Sequence, residues 1–273
     1  MKKAFLIFYY FSLMNKSRLI KDYISYFFYA KTKFAIHSPF VFEFITEVLN
    51  QKKVRNEQIE NIEKLRNGLL HSSDEINVLD FGAGSYTLQT KLRRVNDIVK
   101  NSSKSRKYVN LIYRIINYYK LHYILELGTS AGISSMYMAA AGRNVVTIEG
   151  CPATAKLAEE NFAKLGFENI QLKVGNIDDL LPGILKQQQI FDCVFFDGNH
   201  TEEATNRYFE LCLQSIRNET VFIFDDINWS DGMKKAWHNI KQHSSVSVTI
   251  DLFFLGIVFF RKELSKEDFV IRF

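Results

Sequence analysis

Five short apolar runs between residues 123 and 226 each stop on small or polar residues, and this repetition constrains the fold more than any other feature of the chain. They are Tyr123 to Leu127 before Gly128, Asn144 to Ile148 before Glu149, Ile170 to Val174 before Gly175-Asn176, Phe191 to Phe196 before Asp197-Gly198, and Thr220 to Phe224 before Asp225-Asp226. Runs of this length, rich in Ile, Val and Phe, read as strands. Helical patterns at Pro152 to Leu165 and Glu202 to Ile216 lie between them and make successive strands parallel. The predicted result is one α/β sheet with its polar residues gathered at the carboxyl edge, where open parallel sheets bind ligands.

The first of these turns, Gly128-Thr129-Ser130-Ala131-Gly132, runs from a strand into a helix. Glycines at 128 and 132 remove the Cβ atoms that would block a ligand's approach to the backbone, and a helix start offers unpaired N–H groups. Glu149 follows about twenty residues later at the next strand tip, where a carboxylate can accept both hydroxyls of a ribose. The G-x-G-x-x-G spacing of nicotinamide-binding domains, the main rival for such a loop, is absent.

The order of these pieces resembles the class I S-adenosylmethionine-dependent methyltransferases over roughly residues 106 to 273, with Glu126-Leu-Gly128-Thr-Ser130-Ala-Gly132 matching their first motif and Glu149 their ribose acid. The resemblance implies a Rossmann-like, mostly parallel sheet with a C-terminal antiparallel hairpin, and S-adenosylmethionine as cofactor. It implies cofactor contacts from Glu126, Gly128, Thr129, Ser130 and Gly132, with the 128–132 backbone against the methionine part. Glu149 and Gly150 follow at the second strand, Asn176 and Ile177 at the adenine, and Asp197 after the fourth strand. Many relatives carry Asp where Asn176 stands, so that contact keeps a hydrogen-bonding side chain and loses a charge. Val246 to Leu252 and Phe254 to Phe260, two β-rich runs separated by almost nothing, supply the expected hairpin.

Because S-adenosylmethionine carries an activated methyl group, a protein using it has mainly to hold an acceptor atom in line and take its proton. Asp197-Gly198-Asn199-His200 and Asp225-Asp226-Ile227-Asn228-Trp229 bring three carboxylates, a histidine and an amide to the appropriate edge. His200, with Asp197, is the candidate general base. Asp197, Asp225 and Asp226 are the candidate ligands of a magnesium ion. Catechol and caffeoyl-type O-methyltransferases have an adjacent Asp-Asn after strand five, whereas Ile227 separates Asp226 from Asn228 here. Macrocin-type sugar O-methyltransferases have Asp-Gly after strand four and paired Asp after strand five, which Asp197 and Asp225-Asp226 reproduce. The simpler alternative is that these carboxylates cap neighbouring elements or touch a turn amide. Trp229 reads as a packing residue against the hairpin or, second, as a wall of an acceptor pocket.

Upstream, Val78-Leu-Asp80-Phe-Gly82-Ala-Gly84-Ser85 imitates the same strand-and-glycine pattern, but about twenty residues later Asn101-Ser-Ser-Lys104-Ser105 supplies neither strand nor carboxylate. The segment is therefore expected to be a turn of the N-terminal region, with a lid as the second reading. The expected division is residues 1–14 as a mis-start or disordered tail, 15–105 as a helical N-terminal extension, and 106–273 as the cofactor-binding domain. The extension's helices read at 17–30, after the Ser38-Pro39 cap, and at 58–70, while residues 105–120 form a helix leading into the first strand. His37 reads as a surface or capping residue. Ser230 should cap a helix over 231–242.

Met1 to Met14 pair Lys2-Lys3 with a short apolar run but lack a small-x-small cleavage site, which points away from secretion and leaves peripheral membrane contact as a minor reading. Three scattered cysteines argue against a disulfide framework and fit a cytoplasmic setting. Residues 1–120 hold 21 Lys/Arg against 10 Asp/Glu, while 121–273 hold 14 against 20. Such a basic half is most simply a solvated surface, and with no aromatic RNA-binding signature nucleic acid is not an expected partner. The sequence thus predicts a methyltransferase acting on an oxygen of a small molecule, a sugar or phenolic hydroxyl. The rivals are a protein or nucleic-acid methyltransferase docking through the basic half, and a non-catalytic module that keeps the fold.

Overall fold

Strand β3 (Tyr123–Leu127) shows why the chain layers as it does, since Ile124 faces one apolar cluster and Leu125 with Leu127 the other. The same alternation holds in β6 (Cys193–Phe196) and β7 (Val221–Asp225), so each strand is buried on both faces and needs helices on both. The computed structural model describes residues 17–51, 56–79, 90–187 and 190–273. With β4 (Asn144–Glu149) and β5 (Ile170–Val174), the parallel part of the sheet runs β5-β4-β3-β6-β7. The predicted hairpin is present as β8 (Val248–Asp251) and β9 (Leu255–Phe259), with β9 antiparallel to β7. An edge strand without prior sequence signal, β10 (Glu267–Val270), pairs parallel to β8. Its composition, two acidic residues in four, lacks the apolar run that identifies a central strand.

The chain leaves β3 toward β4 on one side and returns to β6 on the other, so the crevice opens at the carboxyl ends of β3 and β6. Helices α6 (Ile133–Ala139), α7 (Pro152–Leu165), α8 (Ile177–Lys186), α9 (Glu202–Cys212) and α10 (Asp231–Gln242) connect the strands. Ser230 caps α10, its Oγ accepting from Met233 N at 3.1 Å, as the sequence predicts. Trp237 on α10 lies so close to Gly256 that an added Cβ there would stand 2.7 Å from its ring.

The N-terminal part contains a helix over 17–29 (α1), α2 (Pro39–Glu43) continuing as a π-helical turn through Phe44–Leu49, α3 (Glu57–Leu70), α4 (Val95–Ser102) and α5 (Arg106–Tyr118). Val109, Ile112, Ile115 and Ile116 form the buried stripe of α5, as their spacing predicts. The extension is not wholly helical, because β1 (Glu75–Leu79) pairs antiparallel with β2 (Thr90–Arg94). The basic sequence of β2 carries no strand signature, and its pairing with β1 decides its conformation. The loop from Asp80 to Ser85 lies outside the described residues, as do residues 1–14. Ile36, Val41, Phe44 and Val48 share one apolar cluster with β3, β6, β7 and the hairpin. Among the described residues, no helix is long and apolar enough to cross a membrane.

Candidate functional site

The turns that follow β3, β4, β6 and β7, the start of α8 and the joint between α4 and α5 enclose a cavity of about 520 Å³. Its lining includes Gly128, Ser130, Glu149, Gly150, Asn176, Ile177, Asp197, His200, Asp226 and Trp229. Seven of the ten expected cofactor residues therefore meet at one crevice. A cavity of similar volume, about 510 Å³, lies at the amino edge among Asn218, Ser245, Arg261 and Lys262. That one lacks a glycine turn or converging carboxylates, so the carboxyl-edge cavity is the candidate site.

Glu126, Thr129 and Gly132 do not line the cavity. The Glu126 carboxylate is fully buried, accepting from Ser134 Oγ at 2.5 Å, from Thr147 Oγ1 at 2.7 Å and from Ser135. Burial pushes its pKa up to about 7 against the pull of those three hydroxyls. Thr129 shares a 2.6 Å hydrogen bond with Thr147. These residues hold the turn from beneath.

The two glycines are likewise required by the protein's own packing. Gly128 has φ +103°, and a Cβ on it would lie 2.8 Å from the carbonyl carbon of Asp197 and nearer still to its oxygen. Gly132 has φ +78°, and its Cβ would stand 2.7 Å from Cζ of Phe162 on α7. The expectation that both clear space for a ligand is thus corrected for Gly132, while Gly128 both lines the cavity and permits the contact between the β3 and β6 turns. Ser130, Asn199 and Asp226, each just past a strand end, hold φ between 49° and 54°. Non-glycine residues in this region cost on the order of 1–2 kcal/mol each and concentrate at functional sites.

Glu149 sits at the tip of β4, where its carboxylate accepts Ser130 N at 2.8 Å and Cys151 N at 2.9 Å. Burial raises its pKa, and the backbone N–H groups oppose the rise. Asn176 caps α8, its Oδ1 accepting from Asp178 N at 3.1 Å, which fixes it at the cavity rim with Ile177.

Of the three carboxylates expected as metal ligands, Asp197 and Asp225 converge with His200 in place of Asp226, and Lys104, which sequence reasoning missed, joins them. Asp197 Oδ1 lies 3.6 Å from His200 Nε2, and Asp197, His200 and Asp225 each offer one atom within 4.8 Å of the others. Asp225 is fully buried beneath them, and neither of its oxygens has a directed hydrogen bond among the described residues. The Nζ of Lys104 makes an ion pair with Asp225 and lies 3.0 Å from Asp226 Oδ1. Burial alone would lower the Lys104 pKa, yet Asp225, Asp197 and Asp226 together raise it. Burial and repulsion from Asp225 raise the pKa of Asp197 well above the ordinary carboxylate range, and the same two causes raise Asp226.

Lys104 comes from Asn101-Ser-Ser-Lys-Ser105, a stretch with no chemistry legible in its sequence. The tertiary contacts of the α4–α5 joint bring it to the site, with Ser102 Oγ 2.5 Å from Ser130 Oγ. Leu79, at the end of β1, also lines the cavity and donates its N–H to Cys151 Sγ at 3.1 Å. The residue that precedes the upstream glycine loop thus lies at the site, a proximity that nothing in the sequence indicates. Trp229 is 58% exposed at the cavity mouth; Trp237 takes the packing role at the hairpin. Asn228 turns away to donate to Phe253 O at 2.8 Å, and His37 is exposed and lies outside this cavity.

A family model described as a methyltransferase domain matches residues 125–227. A catechol O-methyltransferase from Niastella koreensis is 33% identical over 110 residues, covering 38% of this chain and 48% of the relative. The O-methyltransferase imqG of Aspergillus flavus is 32% identical over 112 residues, covering 38% and 44%. The chain thus spans about half the length of the curated relatives it matches. Among solved structures, the O-methyltransferase TomG from Streptomyces achromogenes, in complex with SAM, superposes with a TM-score of 0.55 at 18% identity, over 80% of this chain and 95% of that one. An O-methyltransferase from Bacillus cereus, in complex with SAH, gives 0.54 at 19% identity, over 80% and 96%. At these identities the likeness establishes the fold.

Proposed function

We infer an S-adenosylmethionine-dependent O-methyltransferase acting on a sugar or phenolic hydroxyl of a small molecule, a reading supported by the methyltransferase-domain model that matches residues 125–227. The observation that carries this reading is the single cavity in which Gly128, Ser130, Glu149 and Asn176 face Asp197, His200 and Trp229. Its volume of about 520 Å³ falls in the range of small-molecule sites.

When bound, the cofactor supplies an activated methyl group, which passes to the acceptor oxygen as the carbon–sulfur bond breaks with its electron pair onto sulfur. Glu149 holds the ribose end through its carboxylate, already oriented by the Ser130 and Cys151 N–H groups. Asn176 and Ile177 border the base. His200 takes the acceptor's hydroxyl proton at Nε2, which lies 3.6 Å from Asp197 Oδ1. Trp229 offers a flat apolar wall to the acceptor at the mouth.

A divalent ion, if bound, would be held by Asp197 and Asp225 with His200, whose atoms converge while Asp226 lies outside that group, and it would polarise the acceptor hydroxyl. Lys104 competes for Asp225. The reading is tested by incubating the protein with S-adenosylmethionine and a panel of phenolic and sugar alcohols, then following S-adenosylhomocysteine release and acceptor mass. Methylated oxygen on one acceptor class supports it, and methyl transfer only to nitrogen or to protein overturns it.

A further inference from the structure

The carboxylate cluster at the ends of β6 and β7 already holds a cation. Lys104 pairs with Asp225 and with Asp226, and Asp225 is fully buried with no directed hydrogen bond among the described residues. A buried carboxylate without compensation is strongly destabilising, and the Lys104 ammonium is the cationic group that meets Asp225 there. A hard divalent ion is the alternative source of that compensation. Asp197, His200 and Asp225 are close enough for one, each offering an atom within 4.8 Å of the others.

The two arrangements share Asp225. An ammonium and a divalent ion on one buried carboxylate repel each other where solvent screening is weak, so one excludes the other. The donor set also suits magnesium poorly, since one of the three atoms that converge is an imidazole nitrogen and magnesium prefers oxygen.

We propose that the Lys104 ammonium is the resident cation of this cluster, standing where a divalent ion would otherwise be held, and that the site works without metal. For the reaction it serves, the proposal rests on the methyl-transfer reading; for the occupancy of the cluster it does not. In that reaction, the acceptor oxygen's electron pair forms the new carbon–oxygen bond, sulfur keeps the pair from the broken bond, and the hydroxyl proton leaves to His200. Lys104 neutralises the carboxylates beneath and so keeps negative charge from building up beside the deprotonating oxygen.

Manganese binding followed by electron paramagnetic resonance, on the full chain without cofactor or acceptor, tests occupancy directly. The wild type is expected to leave the free-ion signal intact up to millimolar manganese. Lys104→Met should bind manganese roughly tenfold tighter or better, and adding Asp225→Asn should abolish the gain. Lys104→Arg, which keeps the charge, should behave as the wild type does. Stoichiometric micromolar manganese binding by the wild type overturns the proposal, and that result requires no variant to fold. A Lys104→Met protein with a native circular dichroism spectrum and no gain in manganese binding also overturns it. Calorimetry with S-adenosylhomocysteine on the same wild-type sample separates the two claims. Failure to bind it removes the methyl-transfer reading, while exclusion of manganese still supports Lys104 as the resident cation.

Discussion

Gly128→Ala should be among the most damaging single-methyl additions to this protein, because two separate costs meet at that residue. Its φ of +103° lies in the left-handed region, where a side chain costs about 1–2 kcal/mol. The added Cβ would also press on the Asp197 carbonyl and stand 3.1 Å from the Gly198 Cα, and backbone cannot rotate away as a side chain can. Overpacking of this kind costs about 1–3 kcal/mol. The expected sum is about 2–5 kcal/mol, which urea unfolding would read as a lower midpoint at unchanged slope. Gly142 supplies the control, having φ +71° and nothing within 4 Å of an added Cβ, so Gly142→Ala should cost only about 1–2 kcal/mol. The damage from Gly128→Ala should extend to function, since the displaced turns carry Ser130 and Asp197. S-adenosylhomocysteine affinity should fall in that variant and hold in Gly142→Ala. Equal stability losses in the two variants would refute the argument that the β3 and β6 turns are pressed together at this residue.

Other expectations concern individual side chains. His200→Ala should lower turnover by roughly 10²- to 10⁴-fold at neutral pH while leaving cofactor affinity intact, and unchanged turnover would move the base to Asp197. Glu126, with its pKa raised from 4.5 to about 7, binds its proton more tightly folded than unfolded, so stability should fall as pH rises through that window. The loss is on the order of 3 kcal/mol, and Glu126→Gln should flatten the decline in pH-dependent unfolding; an unaltered slope would show that the group ionises without cost. Trp229→Ala should raise the acceptor KM about tenfold with little change in cofactor affinity, as expected when a partly buried aromatic wall is removed. A change confined to cofactor binding would place Trp229 on the wrong substrate.

The sheet was legible because β3, β4, β5, β6 and β7 announce themselves by composition, and because parallel order follows from the helices between them. Glu149, Asn176, Asp197 and His200 were legible for the same reason: each stands at a strand end, and the topology sends all strand ends to one edge. What stayed hidden depends on contacts distant in sequence. Lys104 reaches Asp225 from a featureless stretch 121 residues upstream, through the packing of the α4–α5 joint. Glu126 belongs to the glycine motif, yet alternation within β3 turns it into the interior, where Ser134, Ser135 and Thr147 bind it. Strand β10 was missed since an edge strand can be stabilised by its neighbour without an apolar run of its own.

The central claim is that the carboxyl-edge cavity binds the cofactor with Glu149 on the ribose, and calorimetric titration of S-adenosylhomocysteine into the wild type and Glu149→Ala tests it most directly. The wild type should bind in the micromolar range, on the order of −8 kcal/mol. Loss of a charge-assisted hydrogen bond costs roughly 1.5–3 kcal/mol, so Glu149→Ala should bind about ten- to a hundredfold more weakly with its circular dichroism unchanged. No binding by the wild type, or equal affinity in the variant, would contradict the account.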